Sequence, residues 1–520
     1  FSYMKNQNIN VKNTGNRALI EAIKKYRLLL YGLKSNDKEY YQNNINLSQF
    51  EKLKLLLPMI PKLIGRFTPG LIQTIMPFLL KLGTDHLDAY IAMNLNILKV
   101  QAERIQNTSV NKIHKLPNAT YPKWPKKQNL ELDKKEIQKK LRKIVDLERI
   151  QEYSSFERFH RPIYGKKPDR IPFAPLMDNF YARMSNLTVQ EFVSQPYNTI
   201  FKIVEHTHDT FLNYFDMVHL PPGRIYSFFQ PLPAAHSAYY AELHLPKDIG
   251  QVLQFIEKNY INLEDFPKIK KEGFSSVWRP RPLKVVLETM LDFITVGNFF
   301  YKWERKKQVP LYTGSAFVTP LEALSYLMGI NKWSRAILRD QERTMEACDL
   351  LMEGLMANDL LLKEFSGVKR DYICLERVSP QFISPKIFEK MVWPHIKQLV
   401  DQNVKLGYIN LFHMDTDWLP FLHYFAELPK RGKYIFHLEN TDIVKANEIV
   451  GSMGAVFGNL DGNLLVFGTP EKVSKHVSNL ITQLKDNGNF ILSAGCHLPP
   501  DTPIPNIIAI IKTLEEEGYY

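Results

Sequence analysis

Short apolar segments alternate with helical stretches from about residue 170 to the end of the chain, and this pattern limits most strongly what the sequence can fold into. Eight of the apolar segments are predicted to be strands, at residues 171–177, 214–220, 309–315, 372–378, 408–413, 434–438, 455–459 and 490–493. Most of them precede a polar or Gly/Pro-containing loop and then a helix, which is typical of β/α units in a parallel sheet. Eight such units predict an α/β fold of the closed (β/α)₈ TIM-barrel type, although a doubly wound open sheet would give the same local pattern.

The first 125 residues do not show this alternation of apolar segments and helices, and they are predicted to form a separate, all-helical domain. A chain of 520 residues is longer than one hydrophobic core usually needs. Apolar residues recur at three- and four-residue spacings in this part of the chain, whereas residues 107–128 are rich in Pro, Lys and Asn and indicate a linker. The predicted organisation is therefore a helical domain at 1–125 and a barrel at 130–520, with a long insertion at 225–308 over the barrel mouth.

The positive charge of the chain is concentrated at its N-terminal end. The formal net charge is +13, and residues 1–170 hold 32 Lys and Arg against 15 Asp and Glu, which leaves 35 basic and 39 acidic residues in the remainder. This asymmetry predicts that residues 1–125 contact an acidic protein or, peripherally, an anionic membrane surface. A solvated, lysine-rich helical surface would show the same charge. No nucleic-acid partner is predicted.

Cysteine usage and hydropathy predict a cytoplasmic protein. Three cysteines in 520 residues exclude a disulfide framework and indicate a reducing compartment. The longest apolar stretch, residues 53–82, is interrupted by Lys54, Lys62 and Arg66 and by four prolines, so it is not expected to span a membrane. No secretory leader is recognisable.

Two polar segments at predicted strand ends are the best candidates for a reactive site, because the functional side chains of a barrel collect where its strands end. The fifth predicted strand runs into HMDTDW at 413–418, and the eighth runs into SAGCHLPP at 493–500. Residues two apart on an extended chain point to one side, so His413 and Asp415 can converge, and the thiol of Cys496 is a suitable third ligand. One imidazole, one carboxylate and one thiolate leave a coordination position open, which predicts a catalytic site for zinc or another divalent metal.

Each candidate also has a simpler interpretation. An isolated His-x-Asp is usually a hydrogen-bonded loop pair, and a lone Cys after a strand is usually a small buried hydrophobe, so only their coincidence at one end of the barrel favours a metal. His497 could replace or supplement the Cys, or be exposed. Arg377 has a fork-shaped guanidinium that suits a substrate carboxylate, or it could pair with a neighbouring acidic residue. Tyr181 and Trp418 could line an apolar wall, although a single aromatic residue more often packs in the core, and Asp178 could orient a substrate or cap the next helix. The full set of residues predicted to bind a substrate is Asp178, Tyr181, Arg377, Asp417, Trp418, Glu439 and Asp461.

Ordered motifs along residues 130–520 resemble the uroporphyrinogen decarboxylase (URO-D) superfamily. The stretch FILSAGCHLPPDTPIPN at 490–506 is similar to the C-terminal signature of that superfamily. Five upstream segments follow in the expected order, at 169–187, 382–388, 413–418, 441–449 and 458–469. The resemblance implies a (β/α)₈ barrel and one of two chemistries, which are cofactor-free decarboxylation of a tetrapyrrole and cobamide-dependent methyl transfer.

The motifs resemble the methyltransferases of the superfamily more than its decarboxylases. The signature R-Q-A-G-R of the decarboxylases is absent, since DNFYAR stands at 178–183, and their catalytic Asp has no match in VHLP at 218–221. The methyltransferases bind zinc through a His-x-Cys pair and a later Cys. His413 and Cys496 match two of these positions, whereas Asp415 stands in place of the middle Cys and is a harder ligand.

Three functional hypotheses are open at this point. The favoured one is an enzyme of anaerobic metabolism that moves a methyl group between a small-molecule donor or acceptor and a corrinoid (a cobalamin-type cofactor). The corrinoid is expected on a partner protein, because the chain has no DxHxxG segment of the kind that corrinoid-carrying domains use. The second hypothesis is a cofactor-free decarboxylase of a polycarboxylate, and the third is an inactive barrel that serves as a docking module. A homodimer is compatible with all three.

Overall fold

The computed structural model describes residues 134–147, 149, 152–193, 195, 197–220, 259–272, 296–297, 299–430 and 432–520. The predicted helical domain at 1–125 lies outside the described residues, and so do residues 225–258, 273–295 and 298 of the predicted insertion at 225–308. The described part of the chain corresponds to the predicted barrel.

Six parallel strands form one continuous sheet, in the order in which they occur along the chain. They are β1 (Ser315–Val318), β2 (Arg370–Leu375), β3 (Ile409–Met414), β4 (Lys433–Leu438), β5 (Gly454–Leu460) and β6 (Phe490–Ala494). The register pairs Cys374 with His413 and His413 with His437. Because these residues are direct neighbours across three strands, their side chains project from the same side of the sheet at one level.

Two extended segments, which correspond to the first and second predicted strands, close the sheet between β6 and β1. Phe173 pairs in parallel with Leu492 of β6, and Val218 pairs in parallel with Leu311, shortly before β1. The N–H of Asp216 donates to the backbone oxygen of Phe173 at 2.8 Å, which joins the two segments. They are held by isolated bridges rather than by regular ladders, and with them the eight β/α units form a closed (β/α)₈ barrel.

Helices connect the strands and cover the outside of the barrel. Pro320, Pro385 and Pro470 each occupy the first position of a helix, and Gly367 and Gly407, both left-handed, follow the ends of two others, so the local sequence sets these boundaries. No helix in the described ranges is long and apolar enough to cross a membrane. The α-helices of the described part are α1 (Lys134–Leu141), α2 (Ser155–His160), α3 (Asp178–Met184), α4 (Val189–Val193), α5 (Tyr197–Thr210), α6 (Phe266–Glu272), α7 (Pro320–Met328), α8 (Ile330–Arg339), α9 (Gln341–Ser366), α10 (Pro385–Met391), α11 (Trp393–Leu406), α12 (Leu422–Phe425), α13 (Ile443–Val450), α14 (Gly462–Phe467), α15 (Pro470–Leu484) and α16 (Ile504–Glu517).

The third strand begins later than the sequence predicts. The apolar pattern places it at 309–315, but regular pairing begins only at Ser315. Just before this point Thr313 Oγ1 accepts the N–H of Tyr372 at 3.1 Å, so a side chain takes the place of a backbone acceptor. The regular ladder therefore starts after Thr313.

The fourth strand ends earlier than predicted, at Leu375 instead of residue 378. Glu322, a fully buried residue of α7, accepts the N–H of Glu376 at 3.1 Å and the N–H of Arg377 at 2.7 Å. These hydrogen bonds replace sheet partners, so the chain leaves the sheet at the mouth of the barrel.

The interior of the barrel is filled with apolar side chains below this mouth. They form a cluster of their own, separate from the larger apolar cluster that packs helices against strands. Because the lower layers are packed, polar side chains that face inward have room only at the carboxyl ends of the strands. The inner cluster includes Ala174, Leu176, Met217, Tyr312, Leu411, Ile435, Ala455, Phe457 and Ile491.

Candidate metal centre

Three side chains from two strand ends converge at the mouth of the barrel. His413 is the fifth residue of β3, Asp415 follows that strand directly, and Cys496 lies two residues after β6. His413 Nε2 lies 3.1 Å from Asp415 Oδ1 and 3.5 Å from Cys496 Sγ. His413 is buried, whereas Asp415 and Cys496 are half-buried, so the group retains access to solvent. The structure thus brings together the three residues that the sequence predicts as metal ligands.

The spacing of the donor atoms suits a four-coordinate ion. Zinc binds imidazole nitrogen at about 2.0–2.1 Å, carboxylate oxygen at about 2.0–2.2 Å and thiolate sulfur at about 2.3 Å, so a tetrahedron places N and O about 3.4 Å apart and N and S about 3.6 Å apart. The observed separations of 3.1 and 3.5 Å are close to these values. Asp415 Oδ1 is also buried, and no donor among the described residues makes a hydrogen bond of normal geometry to it. A buried oxygen that binds a metal ion is expected to lack such a donor. The three residues therefore fit a metal such as zinc.

The charges of the three side chains depend on one another. Burial disfavours the imidazolium form of His413, but the facing Asp415 carboxylate outweighs burial and raises the pKa of His413. Burial acts to raise the pKa of Asp415, and the facing imidazole more than offsets it, so the pKa of Asp415 is lowered. Burial, and then Asp415, raise the pKa of the Cys496 thiol well above its usual range. The thiol is therefore protonated at neutral pH unless a metal cation displaces its proton.

A chain of polar contacts lies behind His413, inside the barrel. Tyr312 Oη lies 3.1 Å from His413 Nδ1 and 2.8 Å from His437 Nδ1, and the two Nδ1 atoms are 3.1 Å apart. His437 Nε2 in turn lies 3.2 Å from the backbone oxygen of Ala494. Tyr312 and His437 are both buried, so the contacts are shielded from water. His413 Nε2 is thus the nitrogen that faces the mouth.

A strained turn holds Asp415 in place. Thr416 has φ 72°, in the left-handed region that costs a β-branched residue on the order of 1–3 kcal/mol. The Thr416 N–H donates to Glu439 Oε2 at 2.7 Å, and the indole N–H of Trp418 donates to the backbone oxygen of Asp415 at 2.8 Å. Glu439 therefore supports the turn from β4. Trp418 is fully buried and anchors the same turn, whereas the sequence predicts that it contacts a substrate.

Asp178 brings two further imidazoles to the mouth. It begins α3, and its carboxylate oxygens lie 2.9 Å from His219 Nδ1 and 3.4 Å from His497 Nδ1. The ring centroids of His497 and His413 are 6.4 Å apart. Burial acts to raise the pKa of Asp178, and the nearby imidazoles, His219 foremost, more than offset it, so its pKa is lowered. Asp178 is therefore a carboxylate at neutral pH and can accept hydrogen bonds at the mouth.

Three other residues that the sequence predicts to bind a substrate serve the local structure. Asp417 accepts a backbone N–H two residues further on at 2.9 Å, and Asp461 caps α14 by accepting two backbone N–H groups. Tyr181 is fully buried in α3, where its hydroxyl lies 3.3 Å from His208 Nε2. A side chain without exposed surface cannot touch a substrate, so we assign Tyr181 to the core.

A second group of acidic and thiol side chains lies above β2. Glu322, Cys374 and Glu376 each place one donor atom within 4.8 Å of the other two. Burial, and then Glu376, raise the pKa of Glu322 to about 8. Because the oxygens of Glu322 already accept two backbone N–H groups, we assign this group to the support of the loop after β2. Arg377 lies in that loop, with its guanidinium carbon 4.4 Å from the centre of the Tyr326 ring.

The sequence reasoning missed Tyr312, His219 and His437. All three lie within segments that the sequence predicts to be strands, outside the two polar strand-end segments that are the best candidates for a site. One signal was present, because His437 is next to last in β4 just as His413 is next to last in β3. Comparing equivalent positions near the carboxyl ends of the strands would have identified it.

Comparison with known proteins supplies a family and a fold. The model of the family described as Uroporphyrinogen decarboxylase (URO-D) matches residues 238–517, which are 280 of the 520 residues. The chain is 28% identical over 91 residues to a protein of Vesicomyosocius okutanii subsp. Calyptogena okutanii (strain HA) that is described as Uroporphyrinogen decarboxylase. This match covers 15% of the chain and 26% of that protein, so the chain spans about a quarter of the relative's length. A solved structure described as a methyltransferase from Methanosarcina mazei matches with a TM-score of 0.52 and 16% identity, covering 70% of this chain and 99% of that one. At that identity the likeness shows the fold alone.

Proposed function

Because this chain belongs to the uroporphyrinogen decarboxylase (URO-D) family, we propose that the mouth of its barrel is the active site of a methyltransferase. It moves a methyl group between a small substrate and a corrinoid that a separate protein carries. One observation carries the proposal, namely the convergence of the His413, Asp415 and Cys496 donor atoms within 4.8 Å of one another. Decarboxylation without a cofactor has no need of a nitrogen, an oxygen and a sulfur ligand around one point.

The three ligands would hold one divalent metal, which we propose to be zinc, and would leave a fourth position for the substrate. When bound, the metal supplies Lewis acidity to the oxygen, nitrogen or sulfur atom that carries or receives the methyl group. Asp178 accepts a hydrogen bond from the substrate, and Arg377 orients it from the loop after β2. When the substrate is the methyl donor, the bond between its methyl carbon and the heteroatom breaks, and the bonding electron pair stays on the heteroatom. An electron pair of the reduced corrinoid on the partner protein forms the new bond to the methyl carbon.

Cofactor-free decarboxylation is the second candidate function. The partial similarity to a Uroporphyrinogen decarboxylase favours it, although the match covers 26% of that protein. A polycarboxylate substrate requires several cations at the mouth. Of the mouth residues described above, Arg377 alone is a permanent cation, whereas Asp178 and Asp415 are carboxylates with lowered pKa values. Turnover of uroporphyrinogen by the metal-free full chain would favour this function over methyl transfer.

Metal content tests the proposal most directly. Full-length protein that is loaded with Zn²⁺ and desalted is expected to retain near-stoichiometric zinc by mass spectrometry, and His413→Ala and Cys496→Ala are expected to retain little. Two variants serve as matched controls: His423→Ala, at an exposed position of α12, and Cys348→Ala, in the core. Equal zinc in the wild type and in His413→Ala would remove the metal from the proposal.

Methyl transfer itself is measured with free cob(I)alamin as the probe. Its absorption reports methylation when wild-type protein and a panel of methylated alcohols, amines and thiols are present. The zinc-loaded wild type is expected to methylate the probe with at least one donor class, and His413→Ala is expected to lose this activity. Wild-type protein that holds zinc and methylates the probe with no donor would contradict the proposed reaction.

The predictions about partners and location stay predictions. Residues 1–125, with their predicted contact to a membrane surface or an acidic protein, lie outside the described residues. A homodimer and a cytoplasmic location are likewise expectations from the sequence.

A further inference from the structure

We infer that Tyr312 and His437 are positioning residues, which hold His413 with its hydrogen on Nδ1 and so offer Nε2 to the ligand group. The inference deepens the proposed function and depends on it for its consequence, which is metal binding. Its geometric basis is independent of any metal. It follows from counting the hydrogens that the buried contacts behind His413 require.

The far end of the chain of contacts determines where His437 carries its hydrogen. His437 Nε2 lies 3.2 Å from the backbone oxygen of Ala494, which can only accept a hydrogen bond. Nε2 of His437 therefore carries a hydrogen. His437 is fully buried, which favours the neutral ring, so its Nδ1 is a bare acceptor.

Two hydrogens are then needed between Tyr312 Oη and the two Nδ1 atoms. The Tyr312 hydroxyl provides one of them and donates it to His437 Nδ1 over the shortest contact, 2.8 Å. If His413 Nδ1 were also bare, two lone pairs would face each other at 3.1 Å and one buried nitrogen would lack a donor, at a cost of about 1–3 kcal/mol. A hydrogen on His413 Nδ1 removes the conflict, because Tyr312 Oη at 3.1 Å can accept it.

This arrangement selects the nitrogen that faces the mouth. With its hydrogen on Nδ1, neutral His413 directs the lone pair of Nε2 toward Asp415 Oδ1 at 3.1 Å and Cys496 Sγ at 3.5 Å. A carboxylate oxygen so close to this nitrogen requires either a proton on Nε2, as in the metal-free imidazolium, or a metal cation that takes the place of that proton. The contacts behind His413 therefore orient its ring for a cation and hold it there before the cation arrives. Partners of this kind typically change metal affinity by about 10–100-fold.

The structure defines which variants test the inference. Tyr312→Phe leaves His437 Nδ1 as an acceptor 3.1 Å from His413 Nδ1, and His437→Leu leaves Tyr312 Oη at 3.1 Å. Each single variant keeps one acceptor, and the double variant keeps none. Tyr434→Phe is a matched control, because Tyr434 is a buried tyrosine of β4 whose hydroxyl donates to the backbone oxygen of Pro429 at 2.8 Å.

Affinity for Co²⁺, followed by the visible absorption of the bound ion in competition with a chelator, is the first measurement. We expect a loss on the order of 10–100-fold in the double variant, a smaller loss in each single variant and no loss in Tyr434→Phe. Wild-type affinity in a double variant that keeps the unfolding transition of the wild type would overturn the inference.

The hydrogen on His413 is measured directly by nitrogen NMR of metal-free, full-length protein labelled with ¹⁵N-histidine, at a pH where the ring is neutral and with His413→Gln for assignment. The expected result is a hydrogen on Nδ1 in the wild type and a shift toward Nε2 in the double variant. A wild-type ring with its hydrogen on Nε2 overturns the inference, even if the protein binds metal. A hydrogen on Nδ1 in a protein that binds no Co²⁺ supports the positioning and contradicts the proposed function, so the two failures are distinguishable.

Discussion

Replacing Gly495 by Ala tests whether the ligand group depends on the close approach of the loops after β4 and β6. A Cβ atom on Gly495 would lie 2.8 Å from the backbone oxygen of Glu439, 2.9 Å from its Cα and 3.2 Å from its carbonyl carbon. All three are backbone atoms, so no side-chain rotation relieves the contacts. Ordinary contacts between such atoms are about 3.5–4.0 Å long, so one of the loops must move by roughly 0.5 Å or more.

The movement falls on the loop that carries Cys496 and on the loop that supports Asp415 through Glu439. Gly495 directly precedes Cys496, and Glu439 holds the turn at Thr416 beside Asp415 through a hydrogen bond of 2.7 Å. Overpacking of this kind costs about 1–3 kcal/mol of the free energy of unfolding. A site must hold its ligands to within about 0.5 Å, so we also expect Co²⁺ affinity to fall by about tenfold or more.

Urea unfolding of the metal-free protein and Co²⁺ titration measure the two effects. Gly462→Ala is the control, because a Cβ there would meet only Pro499 Cγ, at an ordinary 3.5 Å, in the first turn of α14. This control is expected to be neutral or more stable by about 0.4–1 kcal/mol. If Gly495→Ala matches Gly462→Ala in both stability and Co²⁺ affinity, the two loops do not support each other and the reasoning is refuted.

Two further predictions use the same assays. In the metal-free protein, the raised pKa of His413 means that the folded state binds this proton more tightly than the unfolded state, so the stabilisation is fully present below about pH 6.5 and is lost as the pH rises through the raised pKa. The wild type should therefore lose stability relative to His413→Gln between about pH 6 and 9. A gain in the stability of the wild type relative to the variant over this range would contradict the prediction. Trp418→Phe removes the indole donor to Asp415 and should lower both the free energy of unfolding, by about 0.5–1.5 kcal/mol, and the Co²⁺ affinity. Trp333→Phe is the control, because it removes an indole donor to the backbone oxygen of Leu321 at 2.9 Å and should lower the free energy of unfolding without changing the Co²⁺ affinity. Equal Co²⁺ affinity in the two variants would show that the indole of Trp418 does not position Asp415.

The barrel could be predicted because its strands depend on local patterns of apolar residues. Strands β4 and β6 begin and end within one residue of the predicted bounds. The third and fourth strands deviate where a distant side chain takes a backbone hydrogen bond. Thr313 acts on a residue 59 positions away and Glu322 on one 54 positions away. No local pattern contains such contacts.

The same division applies to the site. The sequence by itself determined that His413, Asp415 and Cys496 stand at strand ends, because the direction of a side chain relative to its own strand follows from the period of two. The sequence left open whether Trp418 contacts a substrate or packs in the core, and the structure places it in the core.

Only the tertiary structure decided which groups support the ligands. Tyr312 lies 101 positions and His437 lies 24 positions from His413 along the chain, and both reach its Nδ1 at 3.1 Å. Such distances depend on the register between strands and on the closure of the whole ring. These properties arise from packing across the barrel, and no single segment of the chain encodes them.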